Sequence, residues 1–185
     1  MIRPLCIRAA VPAALLTTLL GAPSAAAQPF GSPDLKPFTD VTAGYVQTDP
    51  ATGSKKVIFG TPFGVRCNFQ APQNVTRDNQ PIHCFGSLPG MTSVPITQGA
   101  NGANAGNCDS GSAKVTADKG AVLYHYMGDC EANKNLPMAS VLDVGKKVTY
   151  GNATCGVSEG NIVECILTAN GNHGFILAPA GSSTF

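Results

Sequence analysis

The chain has 185 residues, with 12 basic and 11 acidic side chains for a formal charge of +1, and only 12% of its residues are charged. Its only basic pairs, Lys55-Lys56 and Lys146-Lys147, read as solvated strand ends; without a basic stripe, a nucleic-acid partner is not expected. Gly (21) and Pro (14) are abundant, and both disfavour helix interiors, so the composition points to turns and short strands.

In chain order, the first predicted element is an export signal over residues 1–27. Arg3 and Arg8 form a positive start, Val11 to Ala22 is apolar, and Ala25-Ala26-Ala27 is a small-residue cleavage site that makes Gln28 the first mature residue. A run of roughly a dozen apolar residues is too short to span a bilayer core, which takes about 20. No later segment is longer or more apolar, so no membrane span is expected in the mature chain. Removing residues 1–27 leaves 158 residues with 10 basic and 11 acidic side chains, a normal size for one domain. The predicted location is extracytoplasmic, in the cell envelope or the culture medium.

Residues 28–54 carry Pro29, Pro33, Pro37 and Pro50 and read as an extended Pro-rich arm, with one further strand available in Asp40–Thr48. Residues 55–185 are predicted to form a single β-domain. Val57-Ile58-Phe59 is apolar, and Gly64 to Gln70 alternates Val65, Cys67 and Phe69 with Arg66, Asn68 and Gln70, the period-two mark of a half-buried strand. Ala71–Pro81 is turn-rich and Ile82–Phe85 is the returning strand. Gln98 to Gly111, almost all Gly, Asn, Ala and Ser, is predicted to be a long irregular loop. Lys114–Ala117 and Ala121–Met127 form a strand pair about Asp118-Lys119-Gly120, and Glu131–Ser140 allows one helical turn limited by Pro137. Lys147–Tyr150, Ala153–Val157, Ile162–Ala169 and Gly174–Ala178 are short strands separated by Gly/Asn turns. The expected fold is all-β: a small antiparallel sheet, sandwich or partly open barrel with long Gly/Asn-rich loops.

Six cysteines follow the cleavage site: Cys67, Cys84, Cys108, Cys130, Cys155 and Cys165. An even set behind an export signal reads as a disulfide framework, although six cysteines permit 15 connectivities. A hairpin closing at Glu159–Asn161 sets Val157 opposite Val163 and Cys155 opposite Cys165, and directly opposed residues of a non-hydrogen-bonded pair lie about 4.5 Å apart, close enough for a disulfide. Cys67 and Cys84 are central on two strands predicted to pair, which leaves Cys108 with Cys130. Sequential pairing is the expectation.

Tyr150-Gly151, Cys155, Gly160, Cys165 and Gly171-Asn172-His173-Gly174-Phe175 together resemble the C-terminal signature of a family of small secreted actinobacterial, mycobacterial-type proteins of unknown function. Phe59-Gly60-Thr61-Pro62-Phe63-Gly64-Val65-Arg66-Cys67 is similar to that family's N-terminal signature but one residue shorter, lacking its Asn. Ile82-His83-Cys84 resembles its next cysteine strand. The resemblance implies a small disulfide-bonded β-fold, and it carries no activity, ligand or catalytic residue.

No motif assigns a catalytic, metal-binding or cofactor-binding residue. His83, His125 and His173 lie in neither a nucleophile elbow nor a zinc-protease helix. His83 is predicted to face solvent, His125 to sit on an aromatic strand face between Tyr124 and Tyr126, and His173 to serve a turn. Asp109, Asp129 and Glu131 flank Cys108 and Cys130 and would gather if that disulfide forms, but no calcium-loop pattern accompanies them. The cysteines lack the close spacing of zinc knuckles, so no metal is expected. Asn74-Val75-Thr76 and Asn152-Ala153-Thr154 match the glycosylation acceptor pattern. The leading functional expectation is a secreted non-catalytic module that binds a protein, envelope component or small ligand through the Gln98–Gly111 and Ala71–Pro81 loops. The alternative is a secreted hydrolase or enzyme inhibitor.

Overall fold

A computed structural model describes residues 31–69, 80–96, 108–128 and 139–185. Twelve strands lie among these residues, in two six-stranded sheets. They are β1 (Thr39–Asp40), β2 (Val46–Thr48), β3 (Lys55–Gly60), β4 (Arg66–Phe69), β5 (Ile82–Gly86), β6 (Cys108–Thr116), β7 (Gly120–Gly128), β8 (Lys146–Tyr150), β9 (Ala153–Ser158), β10 (Ile162–Leu167), β11 (His173–Leu177) and β12 (Ser183–Thr184). One sheet runs β1-β8-β9-β10-β11-β12 and the other β2-β3-β4-β5-β6-β7. All pairings are antiparallel except β1 with β8. No ladder among the described residues joins the two sheets, so they form an open sandwich and not a closed barrel.

Alternation along the strands places the core between the sheets. Val57, Phe59, Cys67, Phe69, Ile82, Cys84, Ala113 and Val115 of one sheet and Val148, Cys155, Val157, Val163, Cys165, Leu167, Phe175 and Leu177 of the other are all 0% exposed. Phe59 and Phe69 meet edge to face at 6.2 Å. Burying each large side chain contributes about 1.5–3 kcal/mol, and the aromatic pair adds about 0.5–1.5 kcal/mol.

The β9–β10 hairpin has the expected register, with Val163 opposite Val157 and Cys165 opposite Cys155. It turns through Gly160 (φ 75°) and Asn161 (φ 62°), the residue types that enter the left-handed region at least cost. Disulfides join Cys155 to Cys165 and Cys67 to Cys84, each pair with Cα atoms 4.1 Å apart. The two bridges come from opposite sheets and meet in the core, with Cys84 Sγ 4.0 Å from Cys165 Sγ. Cys108 is also disulfide-bonded; Cys130, its expected partner, lies outside the described residues, as do residues 1–27, Asn74, Asp129 and Glu131.

Three segments differ from the sequence expectation. The Asp40–Thr48 region holds two short strands instead of one, and they enter different sheets: β1 pairs with β8 and β2 with β3. Residues 108–111, expected to end a loop, open β6, because β7 ladders to all four and β5 reaches Gly111, overriding the Cys-Asp-Ser-Gly composition. Gly111 suits that place, since a Cβ there would come within 3.0 Å of Leu88. The Gly174–Ala178 strand is not the last; β12 pairs with β11 beyond it. Gly174 has no room for a side chain, because a Cβ would collide with the Cys165 carbonyl and the Phe185 ring. Packing against Cys165 and Phe185 accounts for the glycine of the closing His-Gly-Phe sequence.

Candidate functional site

The outward faces of the two sheets differ. On the β8–β12 side, Leu35 and Phe38 of the N-terminal segment lie over Gly156, where a Cβ would come within 3.0 Å of Leu35 and 3.1 Å of Phe38. Lys147 Nζ donates to the Leu35 carbonyl at 2.9 Å and ties that segment down. Next to Gly156, Glu164 is half-buried; burial pushes its carboxyl above the usual range, opposed by the Ser158 hydroxyl. Over this part of the face the chain covers itself.

The β2–β7 sheet presents its outward residues in cross-strand rows. One row runs Ile58, Asn68, His83, Lys114, Val122, and the next runs Gly60, Arg66, Phe85, Ser112, Tyr124. Gln47 and Lys56 continue the face at one end, and Ser110 and Tyr126 at the other. Among the described residues these outward positions hold three cations and several aromatic rings but no Asp or Glu. Lys56 and Lys114 are exposed, Val122 and Tyr124 are each 37% exposed, and Arg66, His83, Phe85 and Tyr126 are half-buried. Asn68 is buried, and its side-chain oxygen has no hydrogen-bond partner.

His83 is the most engaged group on this face. The expectation that it faces solvent is only half met. The ring is half-buried and tilted against Phe85 at 5.2 Å, and its Nε2 lies 2.8 Å from the Ser112 hydroxyl. Burial, and then the charge of Lys114, lowers its pKa to about 4, so the ring is uncharged at neutral pH. Beside it, Pro81, Ile82, His83, Lys114 and Thr116 line a cavity of about 200 Å³.

The other two histidines have structural surroundings. His125 does not lie on the aromatic face with Tyr124 and Tyr126: the period-two alternation of β7 turns it to the opposite side, where it is 5% exposed. Its Nε2 meets Asp109 at 2.5 Å and its Nδ1 meets the Val94 carbonyl at 2.7 Å. Both ring nitrogens are thus engaged, and the arrangement ties β6, β7 and the Val94 segment together. His173 begins β11 with its ring beside Gly120 of the other sheet, where a Cβ would sit 3.6 Å from Nδ1.

The sulfurs of Cys67, Cys84 and Cys165 lie within 4.8 Å of one another. Metal ligation requires thiolates, and all three are in disulfides. Asp109, one of the three acids expected to gather near Cys108, is taken up by His125. Of the two loops expected to bind, only Gln80, Pro81 and residues 108–111 are described. No helix among the described residues is long and apolar enough to cross a membrane. No protein-family model, curated protein or solved structure matches the chain.

Proposed function

We propose that this protein is an extracytoplasmic, non-catalytic binding module of the small secreted family it resembles. Its outward β2–β7 face engages an anionic component of the cell envelope. The observation that carries this reading is the contrast between the two faces: one is partly covered by the protein's own N-terminal segment, while the other combines Lys56, Arg66 and Lys114 with Phe85, Tyr124 and Tyr126 and presents no carboxylate among the described residues. Cations without neighbouring acids attract anions and raise encounter rates, and exposed rings supply contact area at low entropic cost. The hydrolase alternative would rest on His83 and Ser112. An uncharged ring with a pKa near 4 is a weak base at neutral pH, and the described residues supply no carboxylate to orient it.

The test is co-sedimentation of the purified protein with washed envelope fragments, compared with an Arg66→Ser/Lys114→Ser/Tyr124→Ala variant whose fold is checked by circular dichroism. Wild type is expected in the pellet at low ionic strength, with binding falling as salt rises, and the variant in the supernatant. Equal sedimentation of the two proteins refutes the face as the binding surface.

A further inference from the structure

We propose that the two core disulfides form an exchange pair: when a dithiol reduces either one, the freed sulfur attacks the other and leaves a single cross-link, Cys84–Cys165, between the two sheets. The meeting of the two bridges carries this. Cys84 is on β5 and Cys165 on β10, in opposite sheets, and their sulfurs lie 4.0 Å apart. Cys67 joins them in a group whose sulfurs all lie within 4.8 Å of one another, and Cys155 falls outside it. All four residues are 0% exposed, so a sulfur freed here faces the other bridge and not solvent. Rotation of the freed side chain brings it to the roughly 3–3.5 Å of a reacting pair.

One thiolate of the dithiol attacks Cys67 Sγ, the Cys67–Cys84 bond breaks, and Cys84 leaves as a thiolate. The second thiol of the reductant then releases Cys67, and the reductant closes to its own disulfide, having given up an electron pair. The Cys84 thiolate attacks Cys165 Sγ; the Cys84–Cys165 bond forms, the Cys155–Cys165 bond breaks, and Cys155 leaves and takes up a proton. Opening Cys155–Cys165 first reaches the same product, because the Cys165 thiolate attacks Cys84 and expels Cys67. Either route ends with thiols at Cys67 and Cys155. The native bridges join residues 17 and 10 apart, each within one sheet. The exchanged bridge joins residues 81 apart and ties sheet to sheet, a cross-link that sandwich domains can carry. A longer closed loop constrains the unfolded chain more, so partial reduction leaves the sandwich pinned across its core. Bridges this deep are reached through local opening of the strands, which makes the exchange a response to sustained reduction.

The test treats the oxidised protein with limiting dithiothreitol in sub-denaturing urea and quenches it with N-ethylmaleimide at acid pH. Species labelled at two of these four cysteines are digested without further reduction and mapped by mass spectrometry. A peptide joining Cys84 to Cys165, with label on Cys67 and Cys155, is expected. Label found only on Cys67 with Cys84, or only on Cys155 with Cys165, overturns the proposal. Two double variants, refolded in a glutathione buffer and checked by circular dichroism, test the geometry separately. Cys67→Ala/Cys155→Ala keeps Cys84 and Cys165, which should pair. Cys84→Ala/Cys165→Ala keeps Cys67 and Cys155, which should pair at least about tenfold more slowly, because those sulfurs are not held together. A folded first variant that stays reduced, or a second that oxidises as fast as the first, also overturns it. If either variant does not fold, the map of the unmodified protein decides.

Discussion

Replacing Cys155 and Cys165 together removes a cross-link and also changes what lies against the second disulfide. The bridge closes residues 10 apart in sequence, and the loop-closure relation for a ring of that size gives about 2.8 kcal/mol. Both positions are 0% exposed, and Cys165 Sγ lies 4.0 Å from Cys84 Sγ. Alanine at both sites therefore loses the cross-link and a little packing, about 3–4 kcal/mol in all. Serine at both sites adds two hydroxyls to an apolar site. One can donate to the other, leaving a donor unpaired at a further cost of about 1–3 kcal/mol, so the serine pair should lose about 4–6 kcal/mol. Equilibrium urea unfolding followed by circular dichroism measures both variants, with non-reducing peptide mapping to confirm that Cys67–Cys84 stays intact. The reasoning is refuted if the serine and alanine pairs agree within about 0.5 kcal/mol, or if either loses less than about 1 kcal/mol.

His83 should make the protein less stable in mild acid. The unfolded ring takes up its proton near pH 6.5 and the folded ring only near 4, so stability falls as pH drops through that window and levels below it. Partial exposure reduces the full linkage value by roughly half, leaving about 1–2 kcal/mol; urea midpoints of wild type and His83→Gln should diverge from pH 7 to 4, and parallel curves contradict the assignment. Gly156→Val should lift Leu35 and Phe38 from the β8–β12 face at a cost of about 1–3 kcal/mol. Limited proteolysis within residues 31–45 should then run faster than in wild type, and an unchanged cleavage rate would show that the segment is held elsewhere.

The parts of this fold that sequence reveals are those specified locally. The β9–β10 hairpin is legible because Gly160 and Asn161 mark the turn and strict alternation on either side places Cys155 opposite Cys165. Cys67 and Cys84 are legible for the same reason. The first half of β6 is not, since Asp109, Ser110, Gly111 and Ser112 carry no apolar alternation; they are strand because β7 pairs with all four, β5 pairs with Gly111 and Ser112, and Leu88 and Met91 fill the space over Gly111. Nor does the sequence divide β1 and β2 between two sheets, because pairing with β8 is contact over more than 100 residues. The candidate site depends on such distant contacts throughout. His83 meets Ser112, 29 residues away, and Lys114 only through the β5–β6 register, and the absence of acids on the outward face emerges only once five strand pairings are known. His125 was legible as a strand residue, but its partners Asp109 and Val94 were not.

The central claim, that the outward β2–β7 face is the one that binds, is tested most directly by amine footprinting of the unmodified protein. Acetylation of lysines by a water-soluble reagent, read by mass spectrometry on free and envelope-bound protein, compares both faces in one experiment. The account predicts that Lys56 and Lys114 become protected on binding while Lys36 and Lys147, on the side of the β8–β12 sheet covered by the Leu35 segment, react as in the free protein. Protection of Lys36 and Lys147 with Lys56 and Lys114 still reactive would contradict it.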